Sequence, residues 1–202
     1  DYVDRGTQTK ELLDFLMNLE DTVINGYELR HKFLLGNHED MMIEARENPN
    51  VGYNKQMWLG NGGWETLESF GINLDEFLDG ALDEYLDWFK TLDIMLVDED
   101  YVFVHAGVDP NRFLNMQNRN SCLWDGVAWP DYYKNYDRVV VHGHMVREFG
   151  PIVDLPNNRI WTDVGAVFTG RSATVCIPEP FHYGYNEPLE IIEVGKQRSF
   201  KP

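Results

Sequence analysis

Apolar residues recur at helical spacing in the first half of the chain and gather into short continuous runs in the second. Leu12, Leu13, Leu16 and Leu19 predict a helix, with Thr7 or Thr9 as its cap. Phe33-Leu34-Leu35 predicts a short buried strand ending at Gly36, and a helix follows from Glu39 to Arg46. Residues 48–71 are rich in Gly, Asn and Trp and read as loops around short helices. Leu74 to Leu92 reads as one long amphipathic helix with Phe77, Leu78, Leu82, Tyr85, Leu86 and Phe89 on one side. Ile94 to Val97 and Tyr101 to Val104 predict a hairpin. Val139 to Val141, Arg159 to Thr162, Ala173 to Ile177 and Leu189 to Val194 predict further strands. Strands alternating with helices early, then a run of strands, predict α/β (α+β) architecture with mixed sheets. No repeat or linker divides residues 1–202, so they read as one domain. Clusters of His, Asp and Asn fall just past the strand ends, where open α/β sheets place their chemistry.

Composition narrows the function classes. No apolar run reaches the ~20 residues needed to span a bilayer. The net charge of −17 argues against nucleic-acid or anionic-membrane partners, which need a basic face. An anionic substrate stays open, because divalent ions and one or two arginines reverse the local field. Cys122 and Cys176 read as two buried free thiols of a reducing, cytoplasmic setting rather than as a disulfide.

Four segments carry candidate chemistry: Asp1-Tyr2-Val3-Asp4-Arg5-Gly6, Gly36-Asn37-His38-Glu39, His105-Ala106-Gly107 and His142-Gly143-His144. A lone His-Ala-Gly says little, whereas Asp-x-Val-Asp-Arg-Gly and Gly-Asn-His-Glu are specific. With these four in this order, the chain resembles the phosphoprotein phosphatase branch of the calcineurin-like metallophosphoesterases. The likeness is to the bacterial and phage lambda-type serine/threonine phosphatases and, less, to the symmetrical diadenosine tetraphosphatases. Trp58 to Trp64, Tyr101 to Val104 and Asp163 to Phe168 extend it, and it weakens after about Cys176.

The resemblance implies a two-sheet sandwich of mixed strands flanked by helices. It implies two divalent metal ions, manganese first with iron or zinc as alternatives. Two such ions activate a bridging hydroxide for direct attack on phosphorus, without a phosphoenzyme. By resemblance Asp1 bridges the ions, and Asn37, His105 and His144 complete the second ion's shell, with His142 in a structural or supporting role. The family's upstream Asp-x-His motif is absent, so the chain is expected to be a fragment beginning just after it. His38 is implied as the general acid, held by Asp4. Glu39 reads as support for the site or as a carboxylate favoured at a helix N-terminus. Arg5 is implied as the phosphate clamp, with Asn37 also contacting substrate; its alternative is a structural ion pair. Relatives carry an arginine shortly after the residue equivalent to Trp124. Gly126 breaks that pattern here, and Arg147 or Arg171 are alternatives. Residues 54–64 line a substrate groove or simply pack as core.

The expected activity is metal-dependent hydrolysis of phosphomonoesters, on a phosphoserine or phosphothreonine protein or a small phosphoester. One alternative is a symmetrical dinucleoside tetraphosphate hydrolase. Another, from a different class, is a metal-poor pseudophosphatase acting as a binding module, supported only by the missing first motif. The acidic tail after Asn186 carries no readable motif.

Overall fold

A computed structural model of the chain describes residues 1–125, 133, 136–147, 149–177 and 190–195. It falls into two compact units, Asp1–Asp93 and Ile94–Pro202.

The first unit is mostly helical. Helix α1 (Thr9–Met17) buries Leu13 completely. Neither threonine caps it. Gln8 stands at the cap position without a side-chain bond, and Thr9 is already the first helical residue. A capping oxygen must come from the residue just outside the helix, which neither Thr7 nor Thr9 occupies. Strands β1 (Thr22–Ile24) and β2 (Tyr27–Leu29) pair antiparallel around Asn25-Gly26, both at positive φ (54° and 87°). Asn-Gly favours that conformation and so closes a tight hairpin. The strand expected over Phe33-Leu34-Leu35 reduces to one parallel bridge from Leu34 to Asp93, with the Leu35 N–H donating to Asp93 O at 2.9 Å.

Helix α2 (Asn37–Glu47) begins two residues earlier than its periodicity suggests. Gly36 is extended, and its N–H donates to Glu39 Oε2 at 2.9 Å, so Asn37 and His38 enter the first turn. Met41, Met42, Ile43 and Ala45 are buried below them. Helix α3 (Asn54–Trp58) passes through a wider turn at Leu59–Gly63 into α4 (Trp64–Phe70). The long helix expected from Leu74 is two: α5 (Leu74–Leu78) and α6 (Asp83–Thr91). Gly80 breaks it at φ 101°, in the left-handed region. A Cβ there would meet Asp83 Oδ2 at 2.6 Å, and that carboxylate is held by Arg46 on α2 at 2.9 and 3.0 Å. Phe77, Leu82, Leu86 and Phe89 are all buried, so one apolar face continues through the break.

The second unit holds a mixed sheet in the order β3-β4-β5-β7-β6. Its strands are β3 (Met95–Val97), β4 (Tyr101–Val104), β5 (Val139–His142), β6 (Ile152–Asp154) and β7 (Arg159–Trp161), with the short helix α7 (Arg119–Leu123) between β4 and β5. The central pairs β4–β5 and β5–β7 are parallel, and the edge pairs are antiparallel. Alternation along each strand splits the core into two faces. Val102, Val104 and Val140 pack with Cys122 and Tyr133 on one face. Tyr101, Val139 and Ile160 form the other, against Val175 and Ile177. After the short helix α8 (Ala166–Thr169), strands β8 (Arg171–Cys176) and β9 (Glu190–Gly195) pair antiparallel. Val175 thus lays this small second sheet against the large one, giving the expected mixed α/β layers. Leu189, Gly126 and the acidic tail lie outside the described residues. Both cysteines are free; Cys122 is buried, but Cys176 is partly exposed rather than buried as expected. Among the described residues no helix is long and apolar enough to cross a membrane.

Replacing Gly80 with alanine tests the helix break. The added Cβ strains the backbone and pushes on the Arg46–Asp83 pair, so Gly80→Ala is expected to lower unfolding stability by about 1–3 kcal/mol in urea melts. A variant as stable as the parent would show that the left-handed turn is not required.

Candidate active site

In the first unit, the buried carboxylate of Glu39 joins two motif segments. Its Oε1 accepts from the N–H of Tyr2 (2.6 Å) and of Val3 (3.1 Å), and its Oε2 accepts from Gly36. Asp1 is thereby laid on the first turn of α2, where its Oδ1 accepts from the His38 N–H at 3.3 Å. The approach is close enough that a Cβ on Gly36 would stand 2.2 Å from Asp1 Oδ1. Only glycine fits at that position. Both alternatives for Glu39 hold, since it lies in the helix's first turn and also ties the site segment down.

Asp4 is buried and its carboxylate is fully engaged. Oδ2 lies 2.6 Å from His38 Nδ1, while Oδ1 accepts from Trp58 Nε1 (3.0 Å) and Thr66 Oγ1 (2.9 Å). Burial raises the Asp4 pKa, and the bond from His38 opposes that rise. Because Nδ1 faces the carboxylate, it carries the proton in the neutral imidazole and Nε2 is the outward nitrogen. Asp4 and Arg5 both adopt positive φ, 73° and 61°. The Asp4 N–H donates to Thr66 Oγ1 (2.9 Å) and the Arg5 N–H to Gly62 O (3.2 Å), which hold this unusual pair. The Arg5 side chain is exposed. Its Nε donates to Asn61 O at 3.1 Å and an Nη to Asn61 Oδ1 at 3.4 Å, which orients the guanidinium. Asn37 is buried beside His38 at the start of α2.

In the second unit, His105 follows β4 and His144 follows β5. His105 Nε2 and His144 Nδ1 face each other at 3.1 Å. Two imidazole nitrogens each about 2.0–2.1 Å from one cation also stand roughly 3 Å apart when they subtend a right angle. The separation therefore suits a shared divalent ion as well as it suits a hydrogen bond. The donor sets are thus carboxylate with amide at Asp1 and Asn37, and paired imidazoles at His105 and His144, which fits hard-to-borderline divalent ions. Among the described residues no group of three or more His, Cys, Asp or Glu is gathered into one metal cluster.

His142 takes no part in the imidazole pair. It is buried at the end of β5, where its Nε2 accepts from Arg159 Nε at 3.0 Å and its Nδ1–H donates to Gly143 O at 3.2 Å. Burial, then the Arg159 cation, pushes its pKa down to about 3. Arg159 itself stacks on Trp161, 4.3 Å from the ring centroid, and Arg147 stacks on the same indole at 4.4 Å. Arg171 opens β8.

Sequence reasoning missed Trp58 and Thr66. Of the two readings of the Trp-rich segment, groove or packing, Trp58 follows the second: it is wholly buried against Phe77, and its indole N–H also donates to Asp4. A buried indole N–H needs an acceptor, which was the available signal.

The family model for calcineurin-like phosphoesterases matches residues 1–165. A solved structure of "a putative diadenosine tetraphosphatase" shares 16% identity at a TM-score of 0.62, over 98% of this chain and 78% of its own. A metallophosphoesterase from Sphaerobacter thermophilus aligns at 15% identity and a TM-score of 0.46, over 87% of this chain and 69% of its own. No curated protein matches.

The depressed pKa of His142 has a testable consequence. The unfolded chain takes up a proton near pH 6.5, whereas the folded histidine resists until about 3. Its contribution to stability is therefore complete above pH 6.5 and is lost progressively as pH falls toward 3, at no more than about 1.4 kcal/mol per pH unit. Glutamine can still accept from Arg159 but does not titrate. In urea melts at pH 6.5 and pH 4.5, His142→Gln is expected to lose less stability on acidification than the parent. Parallel losses would contradict the assignment.

Proposed function

The chain belongs to the calcineurin-like phosphoesterase family, and from that premise we propose that it is a metal-dependent phosphomonoesterase acting on phosphoserine or phosphothreonine in proteins. The observation that carries this reading is the short contact between His38 and Asp4. A serine or threonine alkoxide is a poor leaving group and needs a proton as the P–O bond breaks. A positioned imidazole supplies that proton as a general acid.

Asp1 and Asn37 in the first unit, and His105 and His144 in the second, are the residues that would hold divalent ions, manganese first. Such ions, when bound, supply charge neutralisation and a water activated for in-line attack. The remaining work falls to the chain. Arg5, oriented by Asn61, presents a guanidinium to the phosphate oxygens, and its planar fork matches them bidentately. Asn37 adds an amide contact to the same group. His38 gives its proton to the leaving oxygen, and Asp4 keeps the ring in one tautomer and offsets the charge of the imidazolium. Glu39 keeps Asp1 on the helix turn that carries Asn37 and His38.

A second reading is hydrolysis of a symmetrical dinucleoside tetraphosphate, the substrate class in the description of the solved structure with a TM-score of 0.62. Its leaving group is a nucleoside polyphosphate, which departs readily without protonation. A buried, well-held acid is therefore of less use to it, and the net charge of −17 disfavours a polyanion more than a basic phosphopeptide.

Three substrates assayed side by side with manganese separate these readings: a phosphoserine peptide, p-nitrophenyl phosphate and diadenosine tetraphosphate. The phosphopeptide is expected to be turned over best in kcat/KM, and a chelator is expected to abolish turnover until manganese is restored. His38→Asn should lower phosphopeptide turnover by about 10²–10⁴-fold, the usual range for a general acid. It should affect p-nitrophenyl phosphate clearly less, since nitrophenolate needs little protonation. Asn37→Ala should damage both substrates alike. Equal losses for His38→Asn at unchanged metal content would sink the acid assignment. Preference for the dinucleotide would favour the second reading, and no hydrolysis of any substrate with metal bound would leave a binding module.

A further inference from the structure

The geometry points to Trp58 and Thr66 as positioning residues for His38, acting through the carboxylate of Asp4. Asp4 Oδ2 faces the imidazole, so the carboxylate must be held at its other oxygen if the ring is to keep one orientation. Two donors do this, Trp58 Nε1 at 3.0 Å and Thr66 Oγ1 at 2.9 Å. The two are different in kind. An indole N–H donates only, so Trp58 keeps Oδ1 an acceptor. The Thr66 hydroxyl also accepts from the backbone N–H of Asp4, at 2.9 Å. One hydroxyl thereby fixes both the side chain and the left-handed backbone of Asp4 (φ 73°).

Burial makes the arrangement stiff. Trp58 and Thr66 are wholly buried, and Trp58 packs on Phe77 with ring centroids 4.5 Å apart. A Cβ on Gly63 would stand 2.7 Å from the indole, so the chain closes directly over that ring. Water cannot substitute for either donor at such a position without repacking. Removing one leaves the carboxylate able to turn, and His38 turns with it. The expected loss therefore lies in proton delivery and not in phosphate binding.

The inference rests on His38 acting as the leaving-group acid, and one measurement is independent of catalysis. In protein with ¹⁵N-labelled histidine, the His38 Nδ1–H is expected as a slowly exchanging, downfield proton, assigned by its absence in His38→Asn. Thr66→Val, nearly isosteric, should broaden or shift it, and Thr66→Ser should restore it. Trp58→Phe should act in the same direction, with thermal melts confirming that each variant is folded. In turnover with manganese, Thr66→Val should lower kcat on the phosphoserine peptide roughly ten-fold or more while leaving KM within about two-fold. Its effect on p-nitrophenyl phosphate should be smaller. In an Asp4→Asn background the same substitution should add little, because the carboxylate through which it acts is gone. An unchanged Nδ1–H signal in folded Thr66→Val would overturn the inference. So would equal kcat losses on both substrates, or full additivity with Asp4→Asn. Absence of hydrolysis in the parent protein, with the signal still responding to Thr66, would instead strike at the proposed function and leave the positioning role standing.

Discussion

A carboxylate removed from water is costly unless donors surround it, and the first unit is organised by one that is fully surrounded. Glu39 has no exposed side-chain surface and accepts from the backbone N–H groups of Tyr2, Val3 and Gly36. Bonds to an ionised acceptor are about twice as strong as neutral ones. They bind two remote stretches of chain to one another and bring Asp1 onto the helix turn that carries Asn37 and His38. The close contact at Gly36 is its steric counterpart. The electrostatic gain is available only because no side chain stands between Asp1 and the helix turn.

Three residues where chemistry is expected have unusual backbone, while Asn25 and Asn158, a residue type that tolerates it, take the same conformation in turns. Asp4, Arg5 and His144 adopt left-handed conformations without being glycine. Such residues cost of order 1–3 kcal/mol each and persist only where neighbours over-determine them. Thr66 and Gly62 do this for Asp4 and Arg5. Around His144, Met145 N donates to Gly143 O at 2.8 Å, and Trp161 Nε1 donates to Met145 O at 2.6 Å. A turn held from both sides in this way leaves little freedom to the imidazole it carries.

Much of the sheet was legible because β4 and β5 are buried on both faces and read as nearly continuous apolar runs. The hairpin β1–β2 was missed for the opposite reason. Thr22, Val23 and Ile24 are all exposed, so no buried face imposes a period of two, and only Asn25-Gly26 announced the turn. The break at Gly80 was hidden by success of another sort. α5 and α6 present their apolar residues to the same core, so the helical period continues across a gap that is not helical. The motif segments themselves stand out in the sequence by residue type and order. The supports of Asp4 do not, because Trp58 and Thr66 lie 54 and 62 positions away and look like packing until their bonds are known.

The strand order of the second unit has a kinetic side. β3–β4 and β6–β7 are local hairpins, each closed by a short connection, and such pairs form early. β5 belongs to neither. It must enter between β4 and β7, pairing Val139 with Tyr101 across a long intervening segment. Closing that loop costs chain entropy before any contact compensates it, so the insertion of β5 carries a larger closure cost than either hairpin. His144 sits on the turn that leaves this strand, so the imidazole pair requires β5 to be in place beside β4. A cation held by that pair would stabilise only the finished sheet, and so would couple ion concentration to the completion of folding.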